Sequence, residues 1–173
     1  MIQSACWREL ERASYERDHE WRCIGLGTVS DAGPELRTVI LREVLEHENR
    51  LTFFTDARSP KVAQIEARPE ASLLAWSRAL GWQIRMKARL SVDANGPQVA
   101  ARWEQLRSTA AAADYLSPWP PGTPMSSMAP QPGERSHFAV VNATVLSIDW
   151  LELHPAGNRR ALFDAQGMRW LNP

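Results

Sequence analysis

Apolar and polar residues alternate with a period of two along much of the chain, which is the spacing of β-strands that bury one face. The clearest alternation lies in residues 82–92. Its apolar members are Trp82, Ile84, Met86, Ala88 and Leu90, and its polar members are Gln83, Arg85, Lys87 and Arg89. Comparable apolar stretches predict further strands at residues 21–30, 36–45, 51–55, 71–76, 137–153, 158–164 and 168–171. The first three of these, which follow one another closely, predict an antiparallel meander.

Helical spacing occurs in three places. Residues 3–17 set apolar side chains among charges at helical intervals, which predicts an amphipathic helix at the start of the chain. A second helix begins at Ser59-Pro60 and ends near Ala67, because serine is a good N-cap and proline suits the first helical position. The alanine-rich residues 97–116 predict one or two further helices.

These elements predict one domain, residues 1–173, since the chain has the usual length of a single compact unit. About seven strands, two or three helices and no regular β-α alternation favour the α+β class, mainly β, built on an antiparallel barrel with a few flanking helices. Residues 117–136 hold six of the twelve prolines, which predicts a long loop that is either a lid or a connector.

Composition limits the classes of binding partner that we expect for the chain. The chain has 20 Lys plus Arg and 20 Asp plus Glu, so its overall charge gives no reason to expect nucleic acid or an anionic membrane surface. It lacks both the pattern of a signal peptide and an apolar run long enough to span a bilayer. Two cysteines are too few for a disulfide framework. We therefore expect a cytoplasmic protein whose anion binding depends on local basic clusters.

One such cluster is Arg58-Ser59-Pro60-Lys61, at the start of the second predicted helix. The first turn of a helix exposes backbone N–H groups and the positive end of the dipole, where a phosphate can bind. A serine hydroxyl and two cations can add hydrogen bonds to it. The alternative is an ordinary capped helix with two solvated cations.

Two further features contain cations on predicted strands. Arg37 and Arg42 bracket an apolar strand, and a period of two puts them on opposite faces, so that one of them points towards the interior or a groove and needs an anion. The alternative is that both reach water at the strand ends. Gln83 lies at one end of the polar row of residues 82–92, and its amide can both donate and accept a hydrogen bond. The cations of this row, Arg85, Lys87 and Arg89, either bind a phosphate or face the solvent.

These segments together resemble the pyridoxamine 5′-phosphate oxidase family. The matching segments are R-T-V-I-L-R at 37–42, F-F-T-D-A-R-S-P-K-V at 53–62, A-S-L-L-A-W at 71–76 and W-Q-I-R-M-K-A-R at 82–89. The form R-S-P-K-V is similar to the oxidase-like branch of the family more than to the true oxidases. The resemblance implies an antiparallel split β-barrel and a homodimer with flavin mononucleotide (FMN) at the subunit interface.

The resemblance also implies roles for individual residues. Arg37 and Lys61 hold the FMN phosphate with Thr55, Arg58 and Ser59. The backbone of residues 38–41 runs along the isoalloxazine ring, and Gln83 meets the polar edge of that ring. The full set of implied cofactor-binding residues is Arg37, Thr38, Val39, Ile40, Leu41, Arg42, Phe54, Thr55, Arg58, Ser59, Lys61, Gln83 and Trp150.

Departures from the family pattern concern the substrate. Pro60 stands where the true oxidases have a basic residue, Arg42 stands where they have a substrate lysine, and Leu162 stands where a flavin-contacting arginine is expected. These departures argue against pyridoxamine 5′-phosphate oxidation itself. The implied substrate-binding residues are Trp103, Arg107 and Arg160.

The expected function is that of an FMN-dependent oxidoreductase acting on an unknown small organic substrate, in which the cofactor supplies the chemistry. No catalytic side chain and no metal site is expected, since the sequence shows no triad, no paired catalytic carboxylates and only four scattered histidines. Two alternatives stay open. One is a flavin-binding sensor or interaction protein without turnover, and the other is a relative that binds a deazaflavin or haem.

Overall fold

The computed structural model describes residues 1–126, 133 and 136–173. Its strands are β1 (Cys23–Ser30), β2 (Gly33–Leu45), β3 (Arg50–Asp56), β4 (Glu70–Ser77), β5 (Trp82–Asp93), β6 (Phe138–Glu152), β7 (Arg159–Asp164) and β8 (Gly167–Leu171). Its helices are α1 (Ile2–Tyr15), α2 (Pro60–Ala67) and α3 (Pro97–Leu106), with short 3₁₀ segments at Glu20–Arg22, Glu46–Glu48 and Ala110–Tyr115.

The eight strands form one antiparallel sheet in the order β3-β2-β1-β4-β5-β6-β7-β8, and β3 also pairs with β6. This extra pairing, from Arg50 opposite Thr144 to Asp56 opposite Phe138, closes six strands into a barrel. β6 makes closure possible because its 15 residues pair with β3, β5 and β7. The fold class expected from the sequence is confirmed.

The barrel interior is filled by the inward-facing residues of the strands. Ile24 and Leu26 of β1, and Leu41 of β2, are almost fully buried among them. α1 packs on β2 and buries Trp7 and Leu10 in the same cluster. The apolar residues that alternate along the strands and those at helical spacing in α1 thus pack in one hydrophobic core.

A smaller aromatic cluster lies beside the barrel, where α3 and the segment Ala110–Tyr115 cover parts of β3 and β6. It buries Val99, Leu106, Tyr115, Phe138 and Val140, with Phe54, Trp103 and Ala111 packed against it. The rings of Tyr115 and Phe138 meet edge to face with centroids 5.3 Å apart. The single alanine-rich stretch of the sequence therefore forms α3 and a separate 3₁₀ segment.

Some boundaries differ from the sequence prediction. β1 begins at Cys23 and not at Trp21, because Glu20–Arg22 forms a 3₁₀ turn in which the Trp21 N–H donates to His19 Nδ1 (3.1 Å). Residues 117–126, 133 and 136 of the predicted loop are neither helix nor strand; residues 127–132 and 134–135 lie outside the described part of the chain. No helix among the described residues is long and apolar enough to cross a membrane.

Candidate functional site

The turn between β3 and α2 brings two hydroxyl groups and one ammonium group together. Lys61 donates from Nζ to Thr55 Oγ1 (3.0 Å) and to Ser59 Oγ (2.7 Å), and both hydroxyl residues are buried. Ser59 precedes α2 and Pro60 begins it, as the sequence predicts, but the Ser59 side chain makes no capping hydrogen bond. Its hydroxyl holds the ammonium of Lys61 instead.

The Lys61 ammonium is short of negative charge. Its pKa lies below the ordinary lysine value because burial removes water from the ammonium and because Arg37 adds a positive charge nearby; the Asp56 carboxylate partly offsets these effects. Within the described part of the chain no carboxylate forms an ion pair with it, since Asp56 is paired with Arg58. A half-buried cation in this state favours an added anion.

Arg37 lies beside this cluster and is held by buried polar side chains. Its Nη1 donates to Thr28 Oγ1, and its Nη2 donates to Gln64 Oε1 (3.0 Å) and to Glu35 Oε2 (3.0 Å). Thr28 and Gln64 are buried, whereas the Glu35 side chain is 45% exposed. Four of the five residues that the resemblance assigns to the phosphate therefore lie close together: Arg37, Thr55, Ser59 and Lys61.

Arg58 is placed differently from the sequence-based expectation. Its guanidinium forms two hydrogen bonds with the Asp56 carboxylate, from Nε (3.1 Å) and from Nη2 (2.7 Å), and Asp56 raises the pKa of Arg58. The same guanidinium donates to the carbonyl oxygens of Ser117 (2.7 Å), Pro118 (3.2 Å) and Trp119 (3.3 Å). These partners take up most of its donors and hold residues 117–119 against the turn, so the expected phosphate contact from Arg58 stays a prediction.

Arg42 lies with the aromatic cluster, away from Arg37. Its guanidinium carbon is 5.4 Å from the Phe54 ring centroid, and its buried Nε has no hydrogen-bond partner among the described residues. Burial raises the pKa of the nearby Tyr115, while the charge of Arg42 and a hydrogen bond with it act in the opposite direction. Arg37 and Arg42 thus face different surroundings, as the period of two predicts.

The outer face of the sheet contains a cavity of about 490 Å³. Residues that line this outer cavity include Gly25, Gly27, Leu36, Leu74, Arg85 and Leu162. Thr38, Gly25, Leu74, Arg85, Asp149 and Leu162 follow one another across strands β2, β1, β4, β5, β6 and β7 as paired residues. The outer cavity therefore lies on a surface that spans most of the sheet.

Charged side chains on this outer face are mostly paired. Arg160 donates to Asp149 from Nε (2.9 Å) and Nη2 (2.8 Å), Arg85 pairs with the same carboxylate, and the two arginines hold the pKa of Asp149 below its usual range. In the polar row of β5, Lys87 bonds to Ser72 and Arg89 to Glu70. The cations of β5 lie on the outer face and are exposed, which agrees with the solvated alternative for this row.

Gln83 and Trp150 are separated by the wall of the barrel. Gln83 is half-buried on β5, opposite Trp76 and Leu151. Trp150 is only 1% exposed, because it pairs with the inward-facing Ile84 and packs against Trp82 inside the barrel. The expected cofactor contact from Trp150 is therefore corrected, since the alternation of β6 directs this side chain into the core.

The three expected substrate residues do not come together. Trp103 packs in the aromatic cluster, with its ring centroid 5.6 Å from that of Phe138. Arg107 is exposed at the end of α3 and pairs with Glu104 (3.2 Å). Arg160 lies on the outer face. Of these three residues, Trp103 belongs to the aromatic cluster, beside which Arg42 lies.

Sequence reasoning missed Thr28 and Gln64, which hold Arg37. A signal was present for both. Thr28 is the polar residue of the inward series that contains Ile24 and Leu26, and Gln64 follows Lys61 by three residues, so both lie on one helix face. A polar residue at a buried position needs partners, and here its partner is the cation.

Comparison with known proteins places the chain in a family. A sequence profile of the pyridoxamine 5′-phosphate oxidase FMN-binding domain matches residues 4–93, more than half of the chain. The chain belongs to this family. The match extends from α1 through β5. It includes the four residues Arg37, Thr55, Ser59 and Lys61.

Relatives in the pyridoxamine 5′-phosphate oxidase family agree with the match. The pyridoxine/pyridoxamine 5′-phosphate oxidase of Granulibacter bethesdensis is 28% identical over 183 aligned residues, covering 95% of this chain and 84% of the relative. A pyridoxamine 5′-phosphate oxidase-related, FMN-binding protein from Nostoc punctiforme has a similar structure, with a TM-score of 0.81, 28% identity, and coverage of 99% and 96% of the two chains. PhzG from Burkholderia lata, solved with tetrahydrophenazine-1-carboxylic acid, matches at a TM-score of 0.76 and 16% identity over 99% of this chain and 92% of its own, which shows the fold alone.

Three of the residues discussed above fit a phosphate-bearing cofactor. A phosphate accepts hydrogen bonds from cations and hydroxyl groups, and Lys61, Arg37 and Ser59 provide such donors. No group of three histidine, cysteine, aspartate or glutamate side chains that could hold a metal occurs in the described ranges. The donor set therefore suits an anion.

Proposed function

We propose that the chain binds FMN, with the phosphate at Lys61 and Arg37, and acts as an oxidoreductase on a small organic substrate. The observation that supports this proposal is the Lys61 ammonium, which is half-buried, donates in the described structure to the hydroxyls of Thr55 and Ser59, and has a lowered pKa. Family membership supports FMN as the cofactor.

The charge around the turn favours a phosphate. Arg58 is neutralised by Asp56, whose carboxylate also offsets part of the positive charge felt by Lys61, and Arg37 is paired in the described structure with the half-exposed Glu35. A phosphate would accept hydrogen bonds from both cations and from the Ser59 hydroxyl. Each hydrogen bond to a charged group contributes about 1.5–3 kcal/mol, so losing both cations should remove most of the affinity.

The proposed ring position follows from the phosphate. The backbone of residues 38–41 in β2 leads away from Arg37, with Val39 and Leu41 facing the core and Thr38 exposed. The ring would lie along the outer side of this strand. When bound, a flavin supplies hydride and electron transfer, and the protein contributes position and exclusion of water.

Gln83 enters the proposed site only if two chains assemble. β1 and β4 separate β2 from β5 in the sheet. At about 4.8 Å between neighbouring strands, this is about 14 Å along the sheet, too far for Gln83 to reach a ring that lies on β2 of its own chain. We therefore propose a homodimer in which the partner supplies Gln83.

The outer face supplies a surface for this proposed dimer. Leu36 is 74% exposed and Leu74 is 41% exposed, and both line the outer cavity. Exposed apolar side chains grouped around a cavity are typical of interaction surfaces. Burial of these leucines against a second copy would bring the two β2 strands and both Gln83 side chains to one interface.

The aromatic cluster is the proposed position of the substrate. Arg42 stacks on Phe54 and leaves its Nε unpartnered, with Trp103 and Tyr115 nearby. A cation beside aromatic rings suits a planar molecule with an acidic group. Arg42 would orient that group, while the aromatic rings exclude water.

A flavin-binding protein without turnover is the second candidate function. The observation in its favour is Leu162, an apolar residue that lines the outer cavity at the position where the family resemblance places a flavin-contacting arginine. Loss of that contact would reduce the protein's influence on the electronics of the ring.

The visible spectrum of the purified protein tests both candidates. A yellow chromophore that NADH or NADPH reduces under anaerobic conditions supports the oxidoreductase, and a bound flavin that neither donor reduces supports the second candidate. A colourless protein that takes up no added FMN overturns the proposed function.

Site variants test the assignment of the phosphate. The double variant Lys61→Ala with Arg37→Ala should lose FMN and stay folded. The matched control is Arg89→Ala, which removes a cation from an exposed pair with Glu70. A double variant that still purifies with one flavin per chain would refute the phosphate assignment.

A further inference from the structure

Gln64 is a buried polar residue that contacts the proposed phosphate site without belonging to it. It lies on α2, is 8% exposed, and follows Lys61 by three residues. Its Oε1 accepts two hydrogen bonds, from Thr28 Oγ1 (2.6 Å) and from Arg37 Nη2 (3.0 Å). A buried amide that receives two donors is held in one orientation.

Thr28 completes a closed set of hydrogen bonds. Its hydroxyl has one proton, which goes to Gln64, so its oxygen is free to accept from Arg37 Nη1. Gln64 also interacts with Glu35, and this hydrogen-bonding contribution is the largest cause of the lowered pKa of that carboxyl. Arg37 is therefore held at two nitrogens by neutral oxygens.

Because Thr28 Oγ1 and Gln64 Oε1 are uncharged, they hold Arg37 without cancelling the positive charge that attracts an anion. The half-exposed Glu35 is the one carboxylate that pairs with Arg37 in the described structure. Arg37 already donates to Glu35, so without Thr28 and Gln64 this carboxylate would be its main side-chain partner in the described structure and would draw the guanidinium towards itself. A carboxylate at position 64 would hold Arg37 in place but would cancel its charge.

We infer that Gln64 and Thr28 are positioning residues that hold Arg37 for the phosphate and thereby set the preference of the site for FMN over riboflavin. This inference rests on the proposed function. It names two residues that touch neither the ring nor the phosphate and act through Arg37.

Riboflavin is the probe that separates positioning from structural damage, because it has the same ring as FMN and no phosphate. We would titrate the flavin-free full chain with each flavin and follow the fluorescence of the ring. Gln64→Glu should weaken FMN by about 10- to 100-fold and change riboflavin affinity less than about twofold, the range expected for one hydrogen bond to a charged group. Thr28→Val should act in the same direction, and Thr28→Ser should restore FMN binding.

The matched control is Gln98→Glu, because Gln98 also accepts a hydrogen bond from an arginine, Arg102 (3.4 Å), but does so on α3. This variant adds the same charge and should leave both affinities unchanged. A second control places Gln64→Glu in an Arg37→Ala background, where it should have no further effect of its own if it acts through Arg37.

The outcomes distinguish the inference from the proposed function. If the unmodified chain binds no FMN, the proposed function fails. If it binds FMN and Arg37→Ala weakens it, while Gln64→Glu and Thr28→Val do not, only the inference fails. Equal losses for FMN and riboflavin, or an undiminished effect of Gln64→Glu without Arg37, would also overturn the inference.

Discussion

Arg58 and Asp56 form a two-bonded ion pair at the turn between β3 and α2, in which the Asp56 side chain is only 4% exposed. The same Arg58 guanidinium donates to the backbone carbonyls of residues 117–119. One side chain thus joins the turn that precedes Lys61 to the start of the proline-rich segment.

Replacement of Arg58 by alanine should destabilise the protein by about 2–4 kcal/mol, because it leaves the buried Asp56 carboxylate without its cation. Urea denaturation measures this change. The control is Arg68→Ala, whose pair with Asp31 is exposed and should contribute less than about 1 kcal/mol. If Arg58→Ala unfolds at the same urea concentration as the control, the pair does not stabilise the turn.

The lowered pKa of Lys61 predicts a pH dependence. In the window between this lowered pKa and the ordinary value of 10.5, the unfolded chain binds more protons than the flavin-free folded chain, so folding stability rises as pH rises. A bound phosphate favours the charged ammonium and raises the pKa of Lys61. FMN binding should therefore take up a proton, and FMN affinity should fall as pH rises through the pKa of Lys61 in the free protein.

FMN titrations between neutral and alkaline pH measure this effect, and Lys61→Met is the control. The variant should bind FMN more weakly at neutral pH and lose the part of the pH dependence that belongs to Lys61. Subtracting the pH dependence of FMN affinity of Lys61→Met from that of the unmodified protein also removes any contribution from titration of FMN itself. Identical alkaline slopes in both proteins would show that Lys61 does not contact the phosphate.

Local patterns of apolar and polar residues predicted the strands and the turn between β3 and α2. Contacts between residues distant in sequence were not predictable. The alternation of residues 82–92 and the Ser59-Pro60 pair each report a local backbone state. Closure of the barrel instead joins Arg50 to Thr144, and Arg58 bonds to carbonyls about 60 residues away. Neither contact leaves a periodic signal, because it depends on the paths of strands that are distant in sequence.

Substitution of Trp150 tests whether this inward-facing side chain stabilises the barrel core without contacting FMN. Its Nε1 has no hydrogen-bond partner in the described structure, so Trp150→Phe removes no hydrogen bond there; it reduces packing and the ring area beneath the Arg159 guanidinium, which lies 5.9 Å from the ring centroid. We expect a loss of about 1–3 kcal/mol in the free energy of unfolding and no change in FMN affinity. Thermal unfolding and FMN titration of the same sample measure both. A fall in FMN affinity without loss of stability would show that Trp150 contacts the cofactor.

Leu74 tests the proposed assembly, because it is 41% exposed beside Gly25 and lines the outer cavity. The substitution removes apolar contact area and adds a carboxylate that would have to lose its water on assembly, so Leu74→Asp should shift the mass in light scattering from twice to once the 19.5 kDa of the chain. The monomer should also lose FMN, because it lacks the partner's contribution to the ring site. Tyr15→Asp is the control, since Tyr15 is also a large exposed side chain but lies at the end of α1, away from the outer cavity. An FMN-loaded monomer would show that one chain completes the site, and Gln83 would then have no part in it.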